Sequence, residues 1–169
     1  PSPHTKRHLG PSKTLLALQH AAVRASAAVL GPAYGTGPTT RDRVHSALRG
    51  DAGLVLDADA LSSFEGCPED LFSALRPGDV LTPHLGEFRR LFPAIASGPG
   101  NKVEMTQQAA NEAGCVVLLK GPDTVIAAPG QLPVVNTHAS AALATAGSGD
   151  VLAGLIAGLM AQGVDSFTA

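Results

Sequence analysis

A single carboxylate, Asp150, stands between a glycine loop and an apolar run in TAGSGDVLAGLIAGLMAQG, Thr145 to Gly163. The small residues Ala146, Gly147, Ser148 and Gly149 let backbone amides close on an anion, and a helix beginning there adds partial positive charge. A phosphate fits such a cradle. Asp150, in the first helical turn, is placed to take a proton from a hydroxyl beside that phosphate. A second reading stays open: Ser148 or Asp150 satisfies free amides as a cap, and the glycines only make a turn. No GKS or GKT follows, so the loop is not a P-loop.

Four other stretches place polar or glycine residues directly after apolar runs: LGPAYG with Gly35, LDADAL with Asp57 and Asp59, LTPHLGE with His84 and Glu87, and LLKGPDT with Lys120, Gly121, Pro122, Asp123 and Thr124. Each has a plainer reading. Asp59 is an N-cap, Glu87 suits a helix start, Lys120 is solvated at a strand end and GPD is a turn. Asp57 follows a buried strand directly and has no such explanation. His138 lies in the loop before the glycine motif, within reach of a ligand, whereas His4, His8, His20 and His45 read as surface residues. The two cysteines, Cys67 and Cys115, form no CxxC pair and read as inert thiols, which speaks against a disulfide scaffold or a zinc site.

The elements that must position these residues follow from periodicity. Apolar runs of four to five residues predict strands near 27–30, 53–56, 79–82 and 115–120, the last continuing into a hairpin. Between them lie helical stretches: TLLALQHAAVRAS, TTRDRVHSALRG with a threonine cap and a terminal glycine, CPEDLFSALRPGD from Pro68 to before Pro77, a helix after TPH, and NKVEMTQQAANEAG ending at Gly114. Residues 1–13 read as a loose polar arm. The last helix reads as buried, with Ala153, Gly154, Ala157 and Gly158 letting it lie close to the sheet or a neighbouring helix. Strands alternating with helices predict one α/β domain over 1–169, with a mostly parallel sheet. Ligands then bind beyond the carboxyl ends of the strands, where the polar loops converge.

Composition narrows the function classes. Hydrophobic residues make up 44% of the 169, enough for a packed core, and charged residues 15% with a formal net charge of −2. That balance speaks against a nucleic-acid partner. The apolar run VLAGLIAGLMA is too short to span a bilayer, and PSPHTKRHLGPSK has no apolar core of a signal peptide, so the expected location is the cytoplasm, without a membrane partner.

In this order LGPAYGTG, LVLDADAL, LTPHLGEFRRLF, VVLLKGPDTVIAAP and VNTHASAALATAGSGDVLAGLIAGLMAQG resemble one family, the ADP/ATP-dependent NAD(P)H-hydrate dehydratases of the ribokinase-like superfamily. The resemblance covers roughly residues 27–169. It implies a three-layer ribokinase-like sandwich and repair of hydrated NADH and NADPH. There a nucleotide, ADP or ATP with Mg2+, phosphorylates the hydroxyl of the hydrated ring, and phosphate then leaves. It implies Asp150 as the acid/base residue and as part of the substrate site, and the backbone of Ala146 to Gly149 as an anion hole. It further implies Lys120 to Thr124 along the nucleotide and Gly35, Asp57, His84 and Glu87 on the substrate side. Metal ligands are not assigned, and a homo-oligomer is compatible. In two places the chain departs from the family: Ala139 to Ala142 reads ASAA where GNPG is usual, and Ala33 stands where glycine is common. The family's opening glycine-rich strand and helix are not visible, so an abbreviated form is expected. A vitamin-precursor kinase of the same superfamily and a degenerate nucleotide-binding remnant remain alternatives.

Overall fold

The computed structural model describes residues 26–138 and 145–169. The predicted arm, the helix over TLLALQHAAVRAS up to residue 25, and the ASAA stretch lie outside the described residues.

Six strands form one sheet in the order β1 (Ala27–Leu30), β2 (Gly53–Leu56), β3 (Val80–Leu81), β4 (Val116–Leu119), β5 (Thr124–Ala127) and β6 (Val134–Asn136). Strands β1 to β4 are mutually parallel. β5 and β6 return as an antiparallel meander on β4. The apolar runs at 53–56 and 115–120 predict these strands well, because both of their faces are covered. Leu54, Leu56, Leu81, Val117 and Leu119 point into one core, whereas Val55, Val80, Val116 and Leu118 point into the other. β1 is less buried than expected: only Leu30 is fully covered, since β1 is an edge strand among the described residues.

One face carries α1 (Pro38–Leu48), α2 (Asp59–Ser62), α3 (Pro68–Phe72), α4 (Leu85–Leu91), α5 (Pro93–Ser97) and α6 (Lys102–Ala113). Its core is filled by Val44, Phe64, Leu71, Phe88, Phe92 and Ala109, among others. The other face carries α7 (Ser148–Ala161), which packs Ala153, Ile156 and Ala157 against β1 and β2. This is a sandwich of helix, sheet and helix, as the family resemblance implies.

Several local expectations are corrected. Helix α1 starts at Pro38 with Gly37 as N-cap and no side-chain cap. Thr40 is instead buried, and its hydroxyl donates to the Gly35 carbonyl at 2.6 Å. Helix α3 ends at Phe72, short of Pro77, and Arg76 beyond it is tied to the loop before β2 and to Asp79. Its guanidinium donates to the carbonyls of Gly50 and Ala52 at 2.6 Å each and pairs with buried Asp79 at 2.9 Å. His45 is half-buried, edge-on to the Phe64 ring at 5.4 Å, rather than a free surface residue. Helix α7 is not buried all round. Val151 is 63% exposed and Leu155 62%, because among the described residues α7 alone covers that face of the sheet. Gly154 and Gly158 lie on its outward side, and a Cβ there would meet nothing within 4 Å. The close approach to the sheet comes from Ala153 and Ala157.

Helix α6 has the clearest punctuation. Asn101 accepts from the amides of Val103 and Glu104, Glu104 reaches back to the Asn101 amide, and Gly114 closes the helix in the left-handed region at φ 68°. Replacing Asn101 by Ala is expected to lower stability by about 1 kcal/mol, read as a shift in urea midpoint at unchanged slope. Cys115 is a free thiol fully buried directly before β4. Burial, and then the Asp79 charge, push its pKa far above the ordinary thiol value.

Candidate active site

The loops after β1 to β4 do gather at one edge of the sheet, and backbone contacts tie them together. The Asp57 amide donates to the Leu30 carbonyl at 3.0 Å, Thr82 to Leu56 at 3.1 Å and Lys120 to Pro83 at 2.9 Å. Each tie carries the extended chain one residue past a strand end and fixes the side chain that follows.

Asp57 is thereby held at 1% exposure. Its Oδ1 accepts from Lys120 Nζ at 2.6 Å, across 63 residues of chain. The same ammonium lies 3.9 Å from Glu87 Oε2, and Glu87 is itself buried at 6% exposure. Lys120 is therefore an anchored cation rather than a solvated strand end. Asp59 does not cap α2, whose N-cap is Ala58. Its Oδ2 accepts from the Gly35 amide at 2.8 Å and so fastens the β1 loop to the β2 loop. Two non-glycine residues in these loops take left-handed backbone, Ala33 at φ 58° and Ala58 at φ 48°. Such strain collects where surrounding structure dictates a loop's path. It also gives a physical reason why glycine would suit position 33.

His84 is the N-cap of α4. Its Nδ1 accepts from the amides of Gly86 at 2.9 Å and Glu87 at 3.2 Å, and Glu87 Oε2 accepts from the His84 amide at 2.8 Å. The plainer reading of Glu87 as a helix-start residue is thus correct, and it coexists with the contact to Lys120. The next loop is closed by Thr124, whose hydroxyl donates to the Gly121 carbonyl at 2.9 Å. Asp123 is exposed and paired with Lys102 on α6 at 2.8 Å. That hydrogen bond, with help from the Asp123 amide, holds its carboxyl below the usual range. Lys102, which also donates to the Asp123 carbonyl at 2.6 Å, escapes sequence reasoning. Its only signal there is a lysine directly after the cap of α6.

At the start of α7 the N-cap is Gly147, in the left-handed region at φ 87°, and no side chain caps the helix. Ser148 turns its hydroxyl back to the Thr145 carbonyl at 2.9 Å. Capping by Ser148 therefore does not account for the motif. Asp150 is exposed in the first turn, and among the described residues no hydrogen bond engages its carboxylate. A Cβ at Gly149 would lie 3.4 Å from Lys120 Nζ and 3.7 Å from Asp57 Oδ2. The loop before Asp150 thus rests on the Asp57–Lys120 pair. His138 is exposed, its amide donating to Asn136 Oδ1 at 2.9 Å, and is not joined to this cluster by any contact among the described residues. The surface hollow lined by Asp42, His45, Leu48, Arg49 and Ala74 includes none of the candidate site residues.

A family model described as NAD(P)H-hydrate dehydratase matches residues 5–169. The chain belongs to this family. Among its relatives, the bifunctional NAD(P)H-hydrate repair enzyme of Salinibacter ruber is 42% identical over 162 residues, which is 95% of this chain and 30% of that protein. The ADP/ATP-dependent NAD(P)H-hydrate dehydratase of Bacillus subtilis, co-crystallised with ATP/Mg2+, is similar at TM-score 0.66 and 28% identity, over 85% of this chain and 52% of its own. A ribokinase-like superfamily protein of Enterococcus faecalis V583 reaches TM-score 0.72 at 26% identity, over 90% of this chain and 54% of its own. The fold is therefore ribokinase-like. This dehydratase-family chain spans 30% of the Salinibacter relative and about half of each solved structure.

Proposed function

We propose that this chain carries out the nucleotide-dependent dehydration of hydrated NADH and NADPH. The observation that carries the reading is Asp150, a carboxylate without a protein partner among the described residues, in the first turn of a helix whose amides no side chain caps. In this reading the amides of Ala146 to Gly149 bind the phosphate of ADP or ATP, with the helix polarity favouring the anion. Residues 120–124 line the rest of the nucleotide. Gly35, His84 and Glu87 border the hydrated dinucleotide, and Asp57 acts from beneath.

Asp150 takes the proton of the substrate hydroxyl as that oxygen bonds to the terminal phosphorus and the anhydride bond to the departing nucleotide breaks. The C–O bond then breaks, phosphate leaves, and loss of a proton from the adjacent carbon restores the ring double bond. No group of three or more His, Cys, Asp or Glu side chains able to hold a metal occurs among the described residues. Among the described residues a Mg2+ would therefore be held by the phosphates of the nucleotide itself rather than by a protein carboxylate cluster. Such an ion supplies charge neutralisation on the phosphates.

No helix is long and apolar enough to cross a membrane among the described residues. A small-molecule repair role in the cytoplasm accords with that, and a homo-oligomer is compatible with it. The test is incubation with hydrated NADH and Mg2+, with ADP, with ATP and with neither, following absorbance of the reduced nicotinamide. Recovery that requires a nucleotide is expected. Nucleotide consumption without recovery would point to a small-molecule kinase, and neither signal would leave a remnant without chemistry.

A further inference from the structure

Two buried carboxylates and one partly buried ammonium meet beneath the loop that precedes Asp150. Asp57 and Glu87 are at 1% and 6% exposure, and the Lys120 side chain is at 18%. Burying charge is costly, and a buried ion pair is a poor way to add stability compared with apolar packing. This fold has apolar residues to spare on either side of the sheet. The pair instead sits at the strand ends, where ligands bind in such sheets.

A second observation concerns Gly149. Its missing side chain leaves the space into which Lys120 Nζ and Asp57 Oδ2 reach, at 3.4 and 3.7 Å from where a Cβ would be. The ammonium is therefore held against the backbone of the anion loop. Asp57 grips it at 2.6 Å from one side, and Glu87 stands at 3.9 Å as a looser second anchor. Glu87 is in turn fixed by its bond from the His84 amide.

We propose that Asp57 is a positioning residue that touches no ligand: it holds the Lys120 ammonium under Gly149, so that the cation facing a phosphate in the loop is fixed before the phosphate arrives. This rests on the anion-loop reading above and adds to it the residue through which Lys120 acts. A lysine on a flexible stem loses rotamer entropy when it engages an anion, and an anchor removes that cost in advance. Asp57 matters only while Lys120 is present.

The experiment is a double-mutant cycle on the affinity for ADP with Mg2+, by calorimetry on the full chain, with Asp57→Asn, Lys120→Met and the pair. Asp57→Asn is expected to weaken ADP about tenfold and Lys120→Met at least as much, while the pair binds no more weakly than Lys120→Met alone. Losses that multiply in the pair, or an Asp57→Asn chain that binds like the wild type, overturn the proposal. A merely structural Asp57 lowers stability in both backgrounds and shows no such dependence of affinity on Lys120. Should Asp57→Asn not fold, Asp57→Glu, which keeps the charge and shifts its grip on Lys120, takes its place in the same cycle, with the same expected and overturning results. Wild-type chain that binds ADP yet restores no NADH sinks the dehydratase activity while the cycle still decides the role of Asp57. Wild-type chain that binds no ADP overturns both.

Discussion

Asp150→Asn is expected to abolish turnover of hydrated NADH while nucleotide binding survives. The amide keeps the size of the side chain but cannot accept the hydroxyl proton, and loss of a general base costs about 10²–10⁴-fold in rate. The competing role for this carboxylate is electrostatic. In the first turn of α7 it complements the helix dipole, and its loss would then cost about 0.3–1 kcal/mol of stability at an unchanged rate. These outcomes separate cleanly in one set of measurements: rate with hydrated NADH, ADP affinity by calorimetry, and urea midpoint. A variant that keeps most of its rate leaves Asp150 a helix-start residue and removes the mechanism. Because Gly147, not Asp150, is the N-cap, no contact among the described residues gives the fold a stake in the carboxylate beyond that dipole term.

The parts of this site legible in the sequence are those set by local rules. Asp57 stands at the end of an apolar run buried on both faces, so its strand and its position follow from pattern alone. Asn101 with Glu104 and Gly114 mark α6 by residue type. What pattern could not reach depends on partners distant in the chain. The Asp57–Lys120 pair joins the ends of two strands separated by β3, and nothing local to either residue announces the other. Asp59 looks like a cap because its neighbours suit a helix start, but the Gly35 amide competes for its carboxylate and wins. The exposure of Val151 and Leu155 depends on how many helices share the second face of the sheet, a property no residue of α7 encodes. The chemical assignments come from the ordered motifs rather than from any one of them, since the glycine loop alone suits kinases of the superfamily equally well.

Gly31→Ala is expected to be the most damaging single-atom addition at the site, although the residue carries no chemistry. Gly31 ends β1 in the left-handed half of backbone space at φ +126°, where L side chains are strained. It also lies against the β2 loop. A Cβ there would overlap the Asp57 carbonyl oxygen and come within 2.9 Å of the Ala60 Cβ. That carbonyl cannot move aside cheaply, because it accepts from the Ala60 amide at 3.1 Å as α2 begins, while the Asp57 amide is held by Leu30 at 3.0 Å. Relief requires the ends of β1 and β2 to part, which breaks the Leu30 tie and carries Asp57 away from Lys120. Strain at a glycine-only backbone position costs about 1–3 kcal/mol, and forced displacement of packed backbone adds to it, so a loss of about 3 kcal/mol or more is expected. Gly35→Ala supplies the control. Gly35 is also left-handed, at φ +74°, but a Cβ there meets nothing within 4 Å. It should therefore cost only the conformational term, about 1–2 kcal/mol. Urea unfolding of the three chains measures both, and ADP affinity of the folded fraction reports whether Asp57 has moved. A Gly31→Ala chain as stable as Gly35→Ala would mean that the two loops yield easily, and that the site edge is not held rigid by their contact.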